Sequence, residues 1–136
     1  MKTLTVLSIF FFLLTVCCQK EKNNTQFVFD QPFELKYGET KNNAESGLII
    51  TLDSVVNDSR CPGNALCIWA GNAEVRFIYL KDNHSVRFIL NTLPSFKTDT
   101  IINGYNIELV NLSPYPLTGT SIKQTDYKAT IKVTRE

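Results

Sequence analysis

The last apolar stretch of this chain constrains its fold more than any other feature. Tyr127, Ala129, Ile131 and Val133 alternate with Lys128, Thr130, Lys132 and Thr134, so every odd position is apolar and every even one polar. A period of two puts successive side chains on opposite faces of a pleated strand, and a helix cannot segregate such a pattern. The same alternation runs through Phe33–Tyr37, through Leu48, Ile50 and Leu52, from Ala73 to Leu80, from Ser85 to Leu90, and through Tyr105, Ile107 and Leu109. Phe27-Val28-Phe29, split from its neighbour by Pro32, reads as one more short strand. Gly38-Glu39-Thr40 and Asn103-Gly104 read as turns, and Lys81-Asp82-Asn83-His84 links two alternating stretches as the clearest hairpin. About seven short strands with no helical period predict an all-β chain, an antiparallel β-sandwich that is Ig-like in general architecture. A small barrel is the alternative, disfavoured by the unequal strand lengths.

The N-terminus is of a different kind. Met1-Lys2 precedes an apolar run from Leu4 to Val16, which ends in Cys17-Cys18. A cation, a short apolar core and a cysteine at its end make a lipoprotein signal peptide. The run falls short of the roughly 20 apolar residues that span a bilayer. Residues 1–17 are therefore predicted to be removed and Cys18 to carry lipid, because this cut leaves a small residue at −1. Cys17, with a leucine at −3, is the alternative. Residues 18–26 are polar and read as a flexible tether, and residues 27–136 as one β-sandwich domain. The Gln19-Lys20-Glu21 run resembles the lysine-plus-acid signal that carries lipoproteins of the Bacteroidetes to the outer face of their outer membrane. The resemblance implies lipid anchoring at the outer membrane, on the cell surface rather than the periplasmic face.

Charge narrows the partners. The chain has 14 Lys and Arg against 13 Asp and Glu, and loss of Lys2 with the signal balances them. Nucleic acid is not a predicted partner, since binding it ordinarily takes a basic excess. Catalysis is not predicted either. His84, the one histidine, sits in the hairpin turn among polar residues, and Asp30, Asp53, Asp58 and Asp99 fall at strand ends or turns, where aspartate serves local hydrogen bonding. The chain shows no phosphate loop, zinc signature or nucleophile elbow, so no metal or cofactor is predicted.

The remaining chemistry lies in Asp58–Ala73, DSRCPGNALCIWAGNA, which holds Cys61 and Cys67. In an exported chain such a pair reads as a disulfide, and five intervening residues with Pro62 and Gly63 can bring the Cα atoms within the required range of about 4.4–6.8 Å. So small a ring stabilises by about 2 kcal/mol at most; its main effect is to stiffen the loop. Trp69 is expected to pack over the disulfide in preference to forming a ligand platform. Gly71 is expected to meet a backbone need, a bulge or a turn with positive φ. The spacing of Asp58-Ser59-Arg60-Cys61-Pro62 and Cys67-Ile68-Trp69-Ala70-Gly71 resembles a block in a family of small lipoproteins and secreted proteins of the Bacteroidetes. That resemblance implies a shared fold and export route and carries no catalytic residue with it.

These readings converge on a lipid-anchored, non-catalytic binding or structural module of the cell envelope, with an unidentified protein or glycan as ligand. Its candidate contact loop consists of Arg60, Pro62, Asn64, Leu66 and Trp69, because recognition tends to sit on loops held by a rigid scaffold. Two alternatives remain open. A peptidase inhibitor would present the Cys61–Cys67 loop, with Ser59-Arg60 offering a basic side chain to a trypsin-like pocket; against it, Arg60 would simply pair with Asp58 or a backbone carbonyl. A glycan-binding lipoprotein would need an exposed aromatic face, for which Tyr79, Tyr105 and Tyr115 are the candidates.

Overall fold

A computed structural model describes residues 25–136 of the chain. The predicted signal peptide, both candidate lipidation positions Cys17 and Cys18, and the tether as far as residue 24 lie outside the described residues. Eight strands form: β1 (Phe33–Lys36), β2 (Thr40–Asn42), β3 (Ile49–Asp58), β4 (Ala73–Lys81), β5 (His84–Asn91), β6 (Asp99–Ile102), β7 (Tyr105–Ser113) and β8 (Lys128–Arg135). They make two four-stranded antiparallel sheets, ordered β2-β3-β4-β5 and β1-β8-β7-β6. The fold is a β-sandwich that does not close into a barrel. Among the described residues no helix is long and apolar enough to cross a membrane.

Each sheet turns its alternate apolar side chains toward the other. Ile50, Leu52 and Val55 of β3 and Val75, Phe77 and Tyr79 of β4 meet Ile107, Leu109 and Leu112 of β7 and Ala129, Ile131 and Val133 of β8, all buried. The hairpins turn as their sequences demand. Asp82 and Asn83 have φ of 49° and 63°, and Asn103 and Gly104 have 50° and 78°. Two consecutive positive φ values suit the two-residue turns that match strand twist.

One strand reading needs correction, and two short strands are additions. Phe27-Val28-Phe29 is not a strand, although its alternation is real: Phe27 and Phe29 are buried and Val28 is exposed. Phe27 stacks on Phe33 with ring centroids 4.5 Å apart and Phe29 stacks on Tyr105 at 5.5 Å, so the segment caps the open end of the core. Thr40, read as the end of a turn, opens the short strand β2, and Asp99–Ile102, for which the sequence offers no element, is the short strand β6. Order also begins before residue 27, since Gln26 bridges Asn42 and the Asn42 amide donates to the Thr25 carbonyl at 2.9 Å.

β3 and β7 run well past the points where their alternation breaks. Each carries a bulge, between Leu52 and Ser54 in β3 and between Leu109 and Asn111 in β7. One extra residue reverses the phase, so Val55 and Leu112 return to the core where strict alternation would have put Ser54 and Asn111. A second shift in β3, between Val55 and Asn57, leaves Asp58 opposite the buried Ala73 and therefore on the inner face.

The sandwich has two unlike ends. At one, the chain enters at Thr25–Asp30 beside the Asn43–Leu48 turn, the two hairpin turns and the C-terminus, tied by an Arg135–Glu45 pair at 2.8 Å and by Arg135 over the Phe29 ring at 4.2 Å. At the other lie the three longer connections, 59–72, 92–98 and 114–127. Ile131 packs at the centre of the core between Phe33 and Leu109. Ile131→Ala is expected to cost about 2–5 kcal/mol in urea denaturation, whereas Val110→Ala, at the exposed bulge of β7, stays within about 0.5 kcal/mol.

Candidate functional site

The end formed by the long connections is organised around Arg60. Only 7% of this residue is exposed. Its guanidinium grips the Asp58 carboxylate with two parallel bonds, Nε to Oδ1 at 2.9 Å and Nη2 to Oδ2 at 2.7 Å. Nη1 donates to the Leu112 carbonyl at 2.6 Å and Nη2 to that of Pro114 at 2.8 Å. The same guanidinium lies 4.8 Å from the centre of the Tyr115 ring. From the residue just before β8, the Tyr127 hydroxyl adds a bond to Asp58 Oδ2 at 3.0 Å. Arg60 thus joins the end of β3 in one sheet to the end of β7 in the other, and Tyr127 ties the same carboxylate to the entry of β8.

Electrostatics follow from burial and pairing. Burial pushes the Asp58 carboxyl up, but the hydrogen bonds and charge of Arg60, with the Tyr127 hydroxyl, outweigh it and hold the group below the ordinary carboxylate value. Tyr127 moves the other way, to about 12, through burial and then through the Asp58 carboxylate its hydroxyl serves. Asp58 is fully committed to these partners, which leaves it no capacity to act as a general base.

Above this clasp sits the cysteine loop. Cys61 and Cys67 are bonded as a disulfide, with Cα atoms 5.9 Å apart. The ring turns tightly, the Ala65 amide donating to the Pro62 carbonyl at 2.9 Å. Its neck is closed by Ser59 and Asn72, the Ser59 amide donating to the Asn72 carbonyl at 2.7 Å. Gly71 answers a backbone need: its φ is +67°, and a Cβ there would lie 2.1 Å from the Ser59 carbonyl oxygen. The loop leans on the 114–118 connection, where the Gly63 amide donates to the Pro116 carbonyl at 2.9 Å and the Thr118 amide to Asn64 Oδ1 at 2.8 Å. Gln124, in a short 3-10 turn (Gln124–Asp126), acts as a substitute strand partner. Its side-chain amide donates to the Val55 carbonyl at 2.6 Å and accepts from the Val55 amide at 3.0 Å. Two open clefts flank the clasp, about 280 Å³ beside Gly71, Thr92 and Tyr115 and about 360 Å³ beside Val55, Ile122 and Tyr127.

The candidate contact residues separate into two groups. Arg60 is turned inward, so it presents no basic side chain to a trypsin-like pocket; its pairing with Asp58 and two carbonyls is what the buried position requires. Pro62 is half-buried and Asn64 is exposed but bonded to Thr118. Leu66 is 105% exposed and Trp69 63%, joined by Ile68 at 97%, which the sequence reading left out. At this exposure Trp69 is not packed into the body of the sandwich. For a glycan face, Tyr79 is fully buried and Tyr105 stacks in the core on Phe29, leaving only Tyr115 half-exposed. Ile68 was legible in principle, since a Leu-Cys-Ile-Trp run in a short stapled loop has too few neighbours to bury all three apolar side chains. Among the described residues no group of three or more His, Cys, Asp or Glu could hold a metal ion. Comparison with family models, with curated proteins and with solved structures finds no match to this chain.

Two outcomes follow for the clasp. Arg60→Ala strands a buried carboxylate and two carbonyls and is expected to cost about 3–5 kcal/mol in urea denaturation; Arg60→Lys recovers only part of this, lacking the planar fork. The pH profile has two limbs. Asp58 titrates lower in the folded chain, so its contribution is present above the unfolded value of about 3.9 and is lost as pH falls through the lowered folded value. Tyr127 titrates higher, so its contribution is complete below about 10 and is lost as pH rises toward about 12. Thermal melts against pH are expected to show the alkaline limb weakened in Tyr127→Phe and the acid limb weakened in Asp58→Asn.

Proposed function

We propose that this chain is a lipid-anchored, non-catalytic binding module of the bacterial cell envelope, held at the outer membrane through a lipidated N-terminal cysteine, with Cys18 as the modified residue. The observation that carries the binding reading is the stapled loop, which holds Leu66, Ile68 and Trp69 in solvent. Exposing large apolar side chains on a loop this rigid is unfavourable unless something covers them. A stiff loop also loses little conformational entropy on binding, which favours affinity. The sequence supports the anchor, through the apolar run that ends at Cys17-Cys18 and the polar residues after it. The hydrogen bonds that take up both Asp58 oxygens and the exposed place of His84 at the start of β5 support a role without catalysis.

Metabolic labelling with an alkyne fatty acid in a producing bacterial cell tests the anchor. Wild-type chain and Cys17→Ala are expected to take up label and Cys18→Ala to lose it. Absence of label from the wild-type chain would refute anchoring. Protease treatment of intact cells, compared with permeabilised ones, is expected to degrade the protein in both, as a surface location requires.

A further inference from the structure

The end of the sandwich that carries the stapled loop is free of charged residues over two long stretches. Residues 61–73 contain none, and neither do residues 109–122; the adjoining 92–96 stretch also has none. A fifth of the whole chain is charged, so this blank area is a feature of one end and not of the composition. Arg60, the one cation at the neck of the loop, is buried and paired. What projects is apolar or aromatic: Leu66, Ile68 and Trp69 from the stapled loop, and Tyr115 and Leu117, each about half-exposed, from the connection bonded to it.

We propose that this tip inserts into the interfacial region of a lipid bilayer. The proposal rests on the reading of this end as the contact surface and names what it contacts. Three observations favour a bilayer over a protein or a sugar. First, Leu66 and Ile68 are as exposed as side chains can be. The surface is therefore convex, and a deformable apolar phase receives a convex tip without a pocket of matched shape. Second, the tip can descend to headgroup depth without burying a charge, the step that costs about 2.5–3.5 kcal/mol per ion in a bilayer. Third, the same end exposes Trp69, next in sequence to Ile68, and Tyr115, on the connection that packs at Gly63, and their amphipathic rings favour the membrane–water boundary.

The position of the N-terminus limits how the tip can meet a bilayer. Thr25 lies beside Asn42 and Ile49, at the far end of β3 from Asp58. Nine steps along that strand separate the two ends by about 30 Å, and the loop extends beyond. Seven residues from Cys18 to Thr25 reach at most about 25 Å. A chain anchored at Cys18 therefore brings the tip to its own membrane only by lying obliquely across it, whereas standing upright it presents the tip to an apposed lipid surface.

Trp69 is the only tryptophan, so its fluorescence reports on the tip alone. Residues 19–136 retain every core residue and lack the anchor. Titrated with phosphatidylcholine vesicles, this chain is expected to show a blue-shifted emission that survives 0.5 M salt and is quenched by brominated lipid. The Leu66→Ser/Ile68→Ser variant keeps the reporter and, with an unchanged melting temperature, is expected to bind on the order of a hundredfold more weakly. Val28→Ser, at the opposite end, is expected to bind as the unaltered chain does. Unmoved emission at high lipid with an intact fold would overturn the proposal. So would a shift that follows protein concentration without lipid, which would mean that a second copy covers the tip. Binding confined to anionic vesicles and abolished by salt would overturn it as well. None of these outcomes bears on the fatty-acid labelling, so failure of the bilayer proposal and failure of the anchored-module reading are distinguishable.

Discussion

A single buried guanidinium determines the shape of the functional end of this protein. Arg60 leaves the end of β3 in one sheet, grips Asp58 and donates to the carbonyls of Leu112 and Pro114 at the end of β7 in the other. Tyr127, at the start of β8, completes the set. Removing the charges of such a pair from water is costly, and the geometry compensates only because nearly every donor and acceptor is met. The stapled loop, the 114–118 connection and the tip they form all stand on this clasp. A lysine would deliver the charge without the fork, and the two sheets would lose a common register where the loops depart.

The position of Asp58 depends in turn on bulges in β3. The first shift reverses the phase to bring Val55 inward and the second reverses it again, so Asp58 lies opposite Ala73 on the same inner face as Ile50 and Leu52. Gln124 then pairs with the Val55 backbone between the two irregularities, supplying the hydrogen bonds that a bulge removes from the ladder. The irregular end of the sandwich is thus built around a buried polar network, and the regular end around stacked aromatic rings.

Rigidity and exposure coincide in the stapled loop for a geometric reason. The disulfide closes a ring of seven residues from Cys61 to Cys67, too small to fold its own side chains inward. Gly71 presses the returning strand against the backbone at Ser59–Cys61, so the neck has no room for them either. Leu66, Ile68 and Trp69 can therefore only point outward. The same argument explains why Trp69 stays largely in solvent.

The sequence by itself determined the fold class, the core and the loop closure, because each is written in local spacing. Period-two runs such as Tyr127–Thr134 specify strands and their inner faces, Asp82-Asn83 and Asn103-Gly104 specify turns, and two cysteines five residues apart specify a ring. What it did not reveal were β2 and β6, which are too short to show a period, and the continuation of β3 and β7 past bulges that reverse the pattern. Phe27 and Phe29 carried the period of a strand while serving as a cap, since alternation records which side chains are buried and not which backbone pairs with which. The direction of Arg60 was decided only by tertiary structure: its carbonyl partners Leu112 and Pro114 lie more than fifty residues away, and no local pattern encodes which carbonyls will stand open at the end of another sheet. The blank, apolar tip has the same origin, because the stretches that compose it, far apart in the chain, become one surface only when the two sheets bring their ends together.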